Sequence, residues 1–355
     1  VKKFILLVFI LAFLVLALFN SPTVDAQRPN PTNDPARGLI FDDLEVSKQG
    51  KCKGGLEIRL PGNSGKVLCT HGPDPLTNNI ASLVRNSAAP NLSPSKKSPG
   101  FVAACDGDGT SGNRVQVLYA HASDVPSQYA AKLASFQQWA VEADYVFKES
   151  AAATGGFRRL RFVTDRNCLP VVTEVTLTPT GDDSFSKTIG ELLAQGFNRT
   201  DRKYLVFTDA RKYCGIANIE FDDQPGQANM NNTGPHFARV DAGCWSGVIA
   251  AHELMHTLGG VQLTAPNSDG NFHCNDGYDN MCSYSGHSTT IVCSDTSGTS
   301  QFDCGREDYY NANPTPGSYL DSYWNTANSQ FLIKTESPAS ESTIKVLIPL
   351  IKVSK

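Results

Sequence analysis

Two histidines one helical turn apart, with a glutamate beside the first, are the residues of this chain best suited to chemistry: His252-Glu253-Leu254-Met255-His256. On a helix, residues i and i+4 share a face, so both imidazoles can hold one zinc ion while Glu253 stands beside it as general base. The competing reading is a solvated helix that carries two histidines by chance. The surroundings favour chemistry. Ser246 stands where an N-cap belongs, Gly259 where the helix must stop, and Met281-Cys282-Ser283-Tyr284 follows within reach.

Hydrolytic zinc needs a third protein ligand and a fourth position open to water. No glutamate occurs from Leu254 to Arg306, which excludes a ligand set completed by a downstream Glu. His252, Glu253, His256, Gly259 and Met281 match, one by one, the elongated pattern H-E-x-x-H-x-x-G-x-x-H with a Met turn. In this the chain resembles the metzincin zinc peptidases. Its departure from them is Gln262, which occupies the third-histidine position. The stretch from about Cys105 to Leu332 is also similar to a group of secreted bacterial metallopeptidase-like proteins that carry Gln at the same place. Its matching segments include 260 to 266, His273 to Asp276, Asp279 to Cys282 and Tyr323 to Leu332.

The resemblance implies a zinc-dependent endopeptidase acting on polypeptides, with Glu253 moving the proton of the attacking water. It also implies Met281 as an apolar floor and Tyr284 as an oxyanion donor. Tyr284 stands three residues after Met281, however, where metzincins place a tyrosine two after. The third ligand has three readings. Gln262 would bind through a neutral and weaker carboxamide oxygen. His273, the one imidazole between residues 263 and 280, is preferred because imidazole is the commonest metal ligand. Read alone, His273 is a loop histidine satisfied by water. In the third reading the site holds no catalytic zinc, and the chain is a non-catalytic extracellular binding or adhesion protein.

Export is expected from the first residues. Lys2 and Lys3 precede an unbroken apolar run from Phe4 to Phe19, and Val24-Asp25-Ala26 offers small residues at a cleavage site. Residues 1–26 therefore read as a secretory signal peptide, too short in its apolar run to remain as a stable membrane span. The chain carries 31 Lys and Arg against 35 Asp and Glu, a balance that excludes a nucleic-acid footprint. Ten cysteines in an exported chain, none in C-x-x-C spacing, read as disulfides. Cys52 with Cys69 is the favoured pair, and Cys274, Cys282, Cys293 and Cys304 are expected to pair among themselves.

Residues 27–100 read as a disordered stretch up to about residue 50, then a small stapled region and a Ser- and Pro-rich linker, the candidate propeptide of a stored, inactive form. Residues 101–332 form the metallopeptidase-like domain and 333–355 an extension. Within the domain, strands are predicted over 114–120, 158–164, 171–178 and 203–208, with His236 to Asp241 as an edge strand offered to an extended substrate. Helices are predicted from Asp124 through Phe147, over 184–195 and around His252, and a closing helix over 318–332. On the His252 helix, Val248, Ala251, Met255 and Leu258 make the core face. This order gives an α+β fold, a metzincin-like mixed twisted sheet with an active-site helix and an irregular, disulfide-rich C-terminal lobe, expected as a monomer. Calcium is a further candidate at Asp106 and Asp108 or at Asp276 and Asp279, although solvated turns explain them as well. Asn91, Asn198 and Asn231 lie in glycosylation sequons.

Overall fold

The computed structural model describes residues 31–62, 66–75, 103–277, 279–282, 290–291 and 301–335. Among the described residues no helix is long and apolar enough to cross a membrane. The signal segment, Tyr284, Cys293, Asn91 and the tail from residue 336 lie outside them.

The segment expected to be disordered up to about residue 50 instead contributes a strand. β1 (Leu44–Val46), β2 (Leu56–Arg59) and β3 (Val67–Thr70) form an antiparallel sheet in the order β1-β2-β3. Leu44, Leu56, Ile58 and Leu68 are its buried side chains, and their removal from water orders a stretch whose composition looks unstructured. The Cys52–Cys69 bond closes the unit.

The central sheet uses β4 (Arg114–Ala122), β6 (Val172–Leu177), β7 (Arg202–Thr208), β8 (Gly215–Ala217) and β9 (His236–Asp241), in the order β6-β4-β7-β9-β8. All neighbours are parallel except β8, which runs antiparallel to β9. The sheet is mixed, in keeping with an α+β class. Two cores sandwich it. Val115, Val117, Tyr119, Leu205 and Phe207 face helices α1 (Tyr129–Ala152) and α3 (Gly247–Thr257). Leu118, Ala120, Tyr204 and Val206 face α2 (Phe185–Ala194) and the β1–β3 sheet. Burial on both faces is what makes β4 and β7 near-continuous apolar runs.

Three expectations need correction. β9 is not an edge strand: it lies between β7 and β8, and the edge is β8, too short to leave a period-two signal. The strand expected over 158–164 shrinks to β5 (Arg159–Leu160), paired with Leu332–Ile333. Buried Asp144 accepts from the Leu160 N–H and the Arg159 guanidinium and so ties this segment to α1. The closing helix over 318–332 is only α4 (Tyr319–Ser322), followed by a 3-10 turn over Thr326–Asn328. Tertiary hydrogen bonds displace it: Trp324 donates to the Leu258 carbonyl, and Asn325 bonds both backbone groups of Asn311.

Between described residues four disulfides are seen, Cys52–Cys69, Cys105–Cys168, Cys214–Cys244 and Cys274–Cys282, and Cys304 is disulfide-bonded as well. The third joins the start of β8 to the loop before α3. Asp106 pairs with Arg114 and Arg161, and Asp108 caps its own turn, so these contacts account for both carboxylates without a cation. Asn198 is exposed, whereas Asn231 is buried with its amide on the Glu220 carbonyl, a position with no room for a glycan.

In the C-terminal lobe, Asp279 is fully buried. It accepts from the Tyr309 hydroxyl and the Met281 and Cys304 N–H groups, yet burial pushes its carboxyl up to about 7. A carboxyl raised on folding is held protonated in the folded chain after the unfolded chain has lost its proton, so stability falls as pH rises from about 4 to about 7. The full effect of this one group is roughly 4 kcal/mol at its upper end. Asp279→Asn, which mimics the protonated form, should flatten that decline in the melting temperature of metal-free protein. An unchanged slope would show that Asp279 does not set it.

Candidate metal centre

α3 begins at Ser246, whose hydroxyl accepts from the Ile249 N–H, and gives way at Gly259, where φ is +96°. A side chain at Gly259 would meet Asn231 and the Trp324 indole nitrogen, so both backbone conformation and space require glycine. Ile249, Ala250, Ala251, Leu254 and Met255 are buried as well as the two histidines, whereas Val248 is only half-buried. The core face is therefore wider than the stripe read from the sequence. A helix enclosed by α1, β9 and β8 brings His252, Glu253 and His256 to the centre of the molecule, each 0% exposed.

The ring nitrogens converge. His256 Nε2 lies 3.1 Å from His252 Nε2, and His273 Nε2 lies 3.3 Å from it. His252 Nδ1 is 2.8 Å from the Asn280 carbonyl, and His273 Nδ1 is 3.1 Å from the Asn271 carbonyl. A carbonyl can only accept, so each neutral ring carries its proton on Nδ1 and turns the Nε2 lone pair toward the others. Lone pairs this close repel unless a proton or a cation stands among them. Two ligands on a tetrahedral zinc with bonds of ~2.0 Å are separated by about 3.3 Å, so the donor set fits zinc in both chemistry and spacing.

His273 reaches the cluster from a loop that Asp269 organises, accepting from the Asn271 and His273 N–H groups. The Cys274–Cys282 disulfide follows directly. Because those sulfurs are bonded to each other, Cys274, Cys282 and Asp279 offer no thiolate to a metal. Gln262 is placed differently: its amide donates to the Glu220 and Gly259 carbonyls. Met281 is fully buried in the core beside Met255 and Cys274.

Two residues not singled out from the sequence complete the cluster. Asp74 directs Oδ2 to His252 Nε2 at 2.9 Å and Oδ1 to His273 Nε2 at 3.2 Å. The His71 ring stacks on His256 with centroids 3.7 Å apart. His71, Asp74, His256 and His273 form one group of candidate ligands, and Asp74, His252 and Glu253 form another. The available signal was Cys69-Thr70-His71-Gly72-Pro73-Asp74, in which a histidine and a carboxylate follow a disulfide cysteine.

The electrostatics follow from burial. Burial pushes the Glu253 carboxyl well above the usual range, and the Asp74 charge adds to this. Burial acts on Asp74 in the same sense but is outweighed by His252 and His273, which hold it well below. Burial, with His71, His252 and His273 as neighbours, holds His256 well below the ordinary imidazole value. Apart from Asp74, with which a protonated Glu253 shares a hydrogen bond, its carboxyl oxygens have no hydrogen-bond partner among the described residues. β8 passes directly over this carboxylate, and a Cβ on Gly215 would stand 1.9 Å from Glu253 Oε1. A Cβ there would force the Glu253 side chain to move, so Gly215→Ala should lower the melting temperature of the metal-free protein, and an unchanged melting temperature would show that Glu253 has room to shift.

No protein-family model matches the chain, and no curated protein matches it. Among solved structures it is similar to a chaperone–substrate complex, at 13% identity and a TM-score of 0.23, covering 50% of this chain and 28% of that one. It is also similar to metalloproteinase-II from Bacteroides fragilis, at 10% identity and a TM-score of 0.27, covering 70% of this chain and 72% of that one. The chain thus spans just over a quarter of the length of the first. At these scores neither likeness bears on activity.

Proposed function

We propose that this chain is an exported zinc-dependent endopeptidase, monomeric, with residues 101–332 as its hydrolytic domain. The observation that carries the reading is three imidazole nitrogens converging beside the fully buried carboxyl of Glu253. His252, His256 and His273 would hold the ion, and Gln262 would act as a loop anchor. When bound there, zinc supplies Lewis acidity toward a water and a peptide carbonyl. Glu253, whose raised proton affinity suits it to exchange protons near neutral pH, takes the proton of the attacking water and passes it to the leaving amine. Once residues 69–74, which bridge to it at Thr70–Asn218 and Asp74–Gly215, give way, the outer edge of β8 would pair with an extended polypeptide and fix the scissile bond against α3. The Cys214–Cys244 bond holds that edge in register with the helix.

Casein hydrolysis that chelator abolishes and zinc restores would support this reading. Metal-free protein with an intact fold and no hydrolysis would replace it with the non-catalytic binding protein. Tyr284 stays in the proposal as an oxyanion donor, with Tyr284→Phe as its test. Calcium remains a proposal at Asp276 alone, where one buried oxygen lacks a partner and burial, with Asp308 and Glu307 nearby, pushes the carboxyl up to about 6.

A further inference from the structure

We propose that the cavity between the turn before β4 and the Leu332–Ile333 strand is a second binding site, and that it takes the carboxylate end of a polypeptide. The inference is independent of the zinc reading, since none of the residues lining this cavity belongs to the metal cluster.

The cavity encloses about 680 Å³, inside the range of roughly 300–1,000 Å³ in which proteins hold small ligands. Four separate segments wall it. The turn before β4 supplies Asn113, the residue after β5 is Arg161, the loop after Asp222 supplies Gln227, and the chain from Gln330 to Thr335 closes it. Hydrogen bonds across the segments fix the wall. Asn113 Nδ2 donates to Gln330 Oε1 at 3.2 Å, and the Gln330 N–H donates to Asn232 Oδ1 at 2.9 Å. Leu332 and Ile333, whose strand is paired to β5, give the cavity an apolar side.

The charges of the wall do not balance. Arg161 and Lys334 line the cavity, and Asp106 is its one acidic lining residue. That carboxylate is already divided between Arg161 at 2.9 Å and Arg114 at 3.2 Å. The Lys334 ammonium donates to the Asn328 carbonyl and has no carboxylate partner among the described residues. Arg158 stands close to it, with its guanidinium bonded to the Phe157, Ala312 and Ala327 carbonyls. Burial, with Arg158 and Arg161 nearby, holds the Lys334 ammonium below the ordinary lysine range. A chain of net charge −4 has thus gathered cations at one cavity without matching carboxylates, and an anion entering there relieves their repulsion.

The neutral groups decide which anion. The Gln227 carboxamide and Gln330 Nε2 have no hydrogen-bond partner among the described residues. A phosphate would accept from the two amides but leave the Gln227 oxygen and the apolar side unused. The last residues of a polypeptide use all three. Their carboxylate meets Arg161 and Lys334, their peptide bond both donates to and accepts from Gln227, and an apolar terminal side chain packs on Leu332 and Ile333.

The test is fluorescence anisotropy of a fluorescein-labelled Gly-Ser-Ala-Leu peptide with either a free or an amidated carboxyl end. The full chain is used in the presence of chelator, so that no hydrolysis competes. The free acid should bind saturably, at least about tenfold more tightly than the amide, and more weakly as salt rises. Lys334→Gln and Arg161→Gln should each abolish that preference. Arg161 also holds Asp106, so Lys334→Gln, at an exposed position, guards against a folding defect. Gln227→Ala should weaken acid and amide alike, by about threefold or more, because it meets the peptide bond rather than the carboxylate. Equal affinity for acid and amide, or a preference that survives Lys334→Gln, overturns the site. Inorganic phosphate that displaces the peptide as readily as unlabelled free-acid peptide does would overturn its assignment to polypeptide ends.

Discussion

Glu253→Gln should lower peptide hydrolysis by on the order of 10²- to 10⁴-fold while leaving zinc content unchanged. The amide keeps the size of the side chain and the packing under Gly215, but it cannot take a proton from water. Zinc retention is expected because the three proposed ligands are imidazoles from His252, His256 and His273, and Glu253 only stands beside them. The comparison is made in both the wild-type and the Asp74→Ala background, so that the contacts of Asp74 with His252 and His273 do not mask the difference. Full activity in Glu253→Gln would place the base elsewhere, and loss of zinc would make Glu253 a ligand.

His273→Ala should weaken zinc binding about as much as His256→Ala, by at least ~100-fold, whereas Gln262→Ala should cost no more than about tenfold. The expectation follows from placement. His273 Nε2 is 3.3 Å from His252 Nε2, with its own Nδ1 tied to a carbonyl, while the Gln262 amide is bonded to the Glu220 and Gly259 carbonyls. Gln262→His should accordingly fail to strengthen binding, because that position is set by the turn after Gly259. Zinc retention against a series of chelators of graded affinity measures all four variants. Unaltered affinity in His273→Ala would return the third-ligand role to Gln262.

How far the fold could be read in advance depended on how local its causes are. α3 was legible because its cap at Ser246, its i,i+4 histidines and its stop at Gly259 all act within a few residues. β4 was legible as a strand from the alternation of Val115, Val117 and Tyr119 and β7 from its short apolar run, β9 was also expected as a strand, and Cys52–Cys69 was legible from its isolation. β8 was not, since Gly215, Ile216 and Ala217 are too few to carry a period, and the sheet edge was assigned to β9 in its place. The closing helix failed for a related reason: Trp324 and Asn325 satisfy distant backbone groups at Leu258 and Asn311, and local propensity is weaker than those bonds.

For the site, the residue types themselves determined the two helical imidazoles and the glutamate beside them, because helical geometry alone puts them on one side of a turn. Which third ligand joins them was left in the sequence between Gln262 and His273, beside the reading of no catalytic zinc, and only the folding of the 260–274 loop brings His273 Nε2 to 3.3 Å from His252 Nε2. Asp74 and His71 carried only the weak signal of a histidine and a carboxylate that follow a disulfide cysteine. They stand about 180 residues from the helix, and no pattern of spacing links them to it. What brings them there is the pairing of residues 69–74 with the β8 edge, a long-range contact that exists only once both sheets have formed.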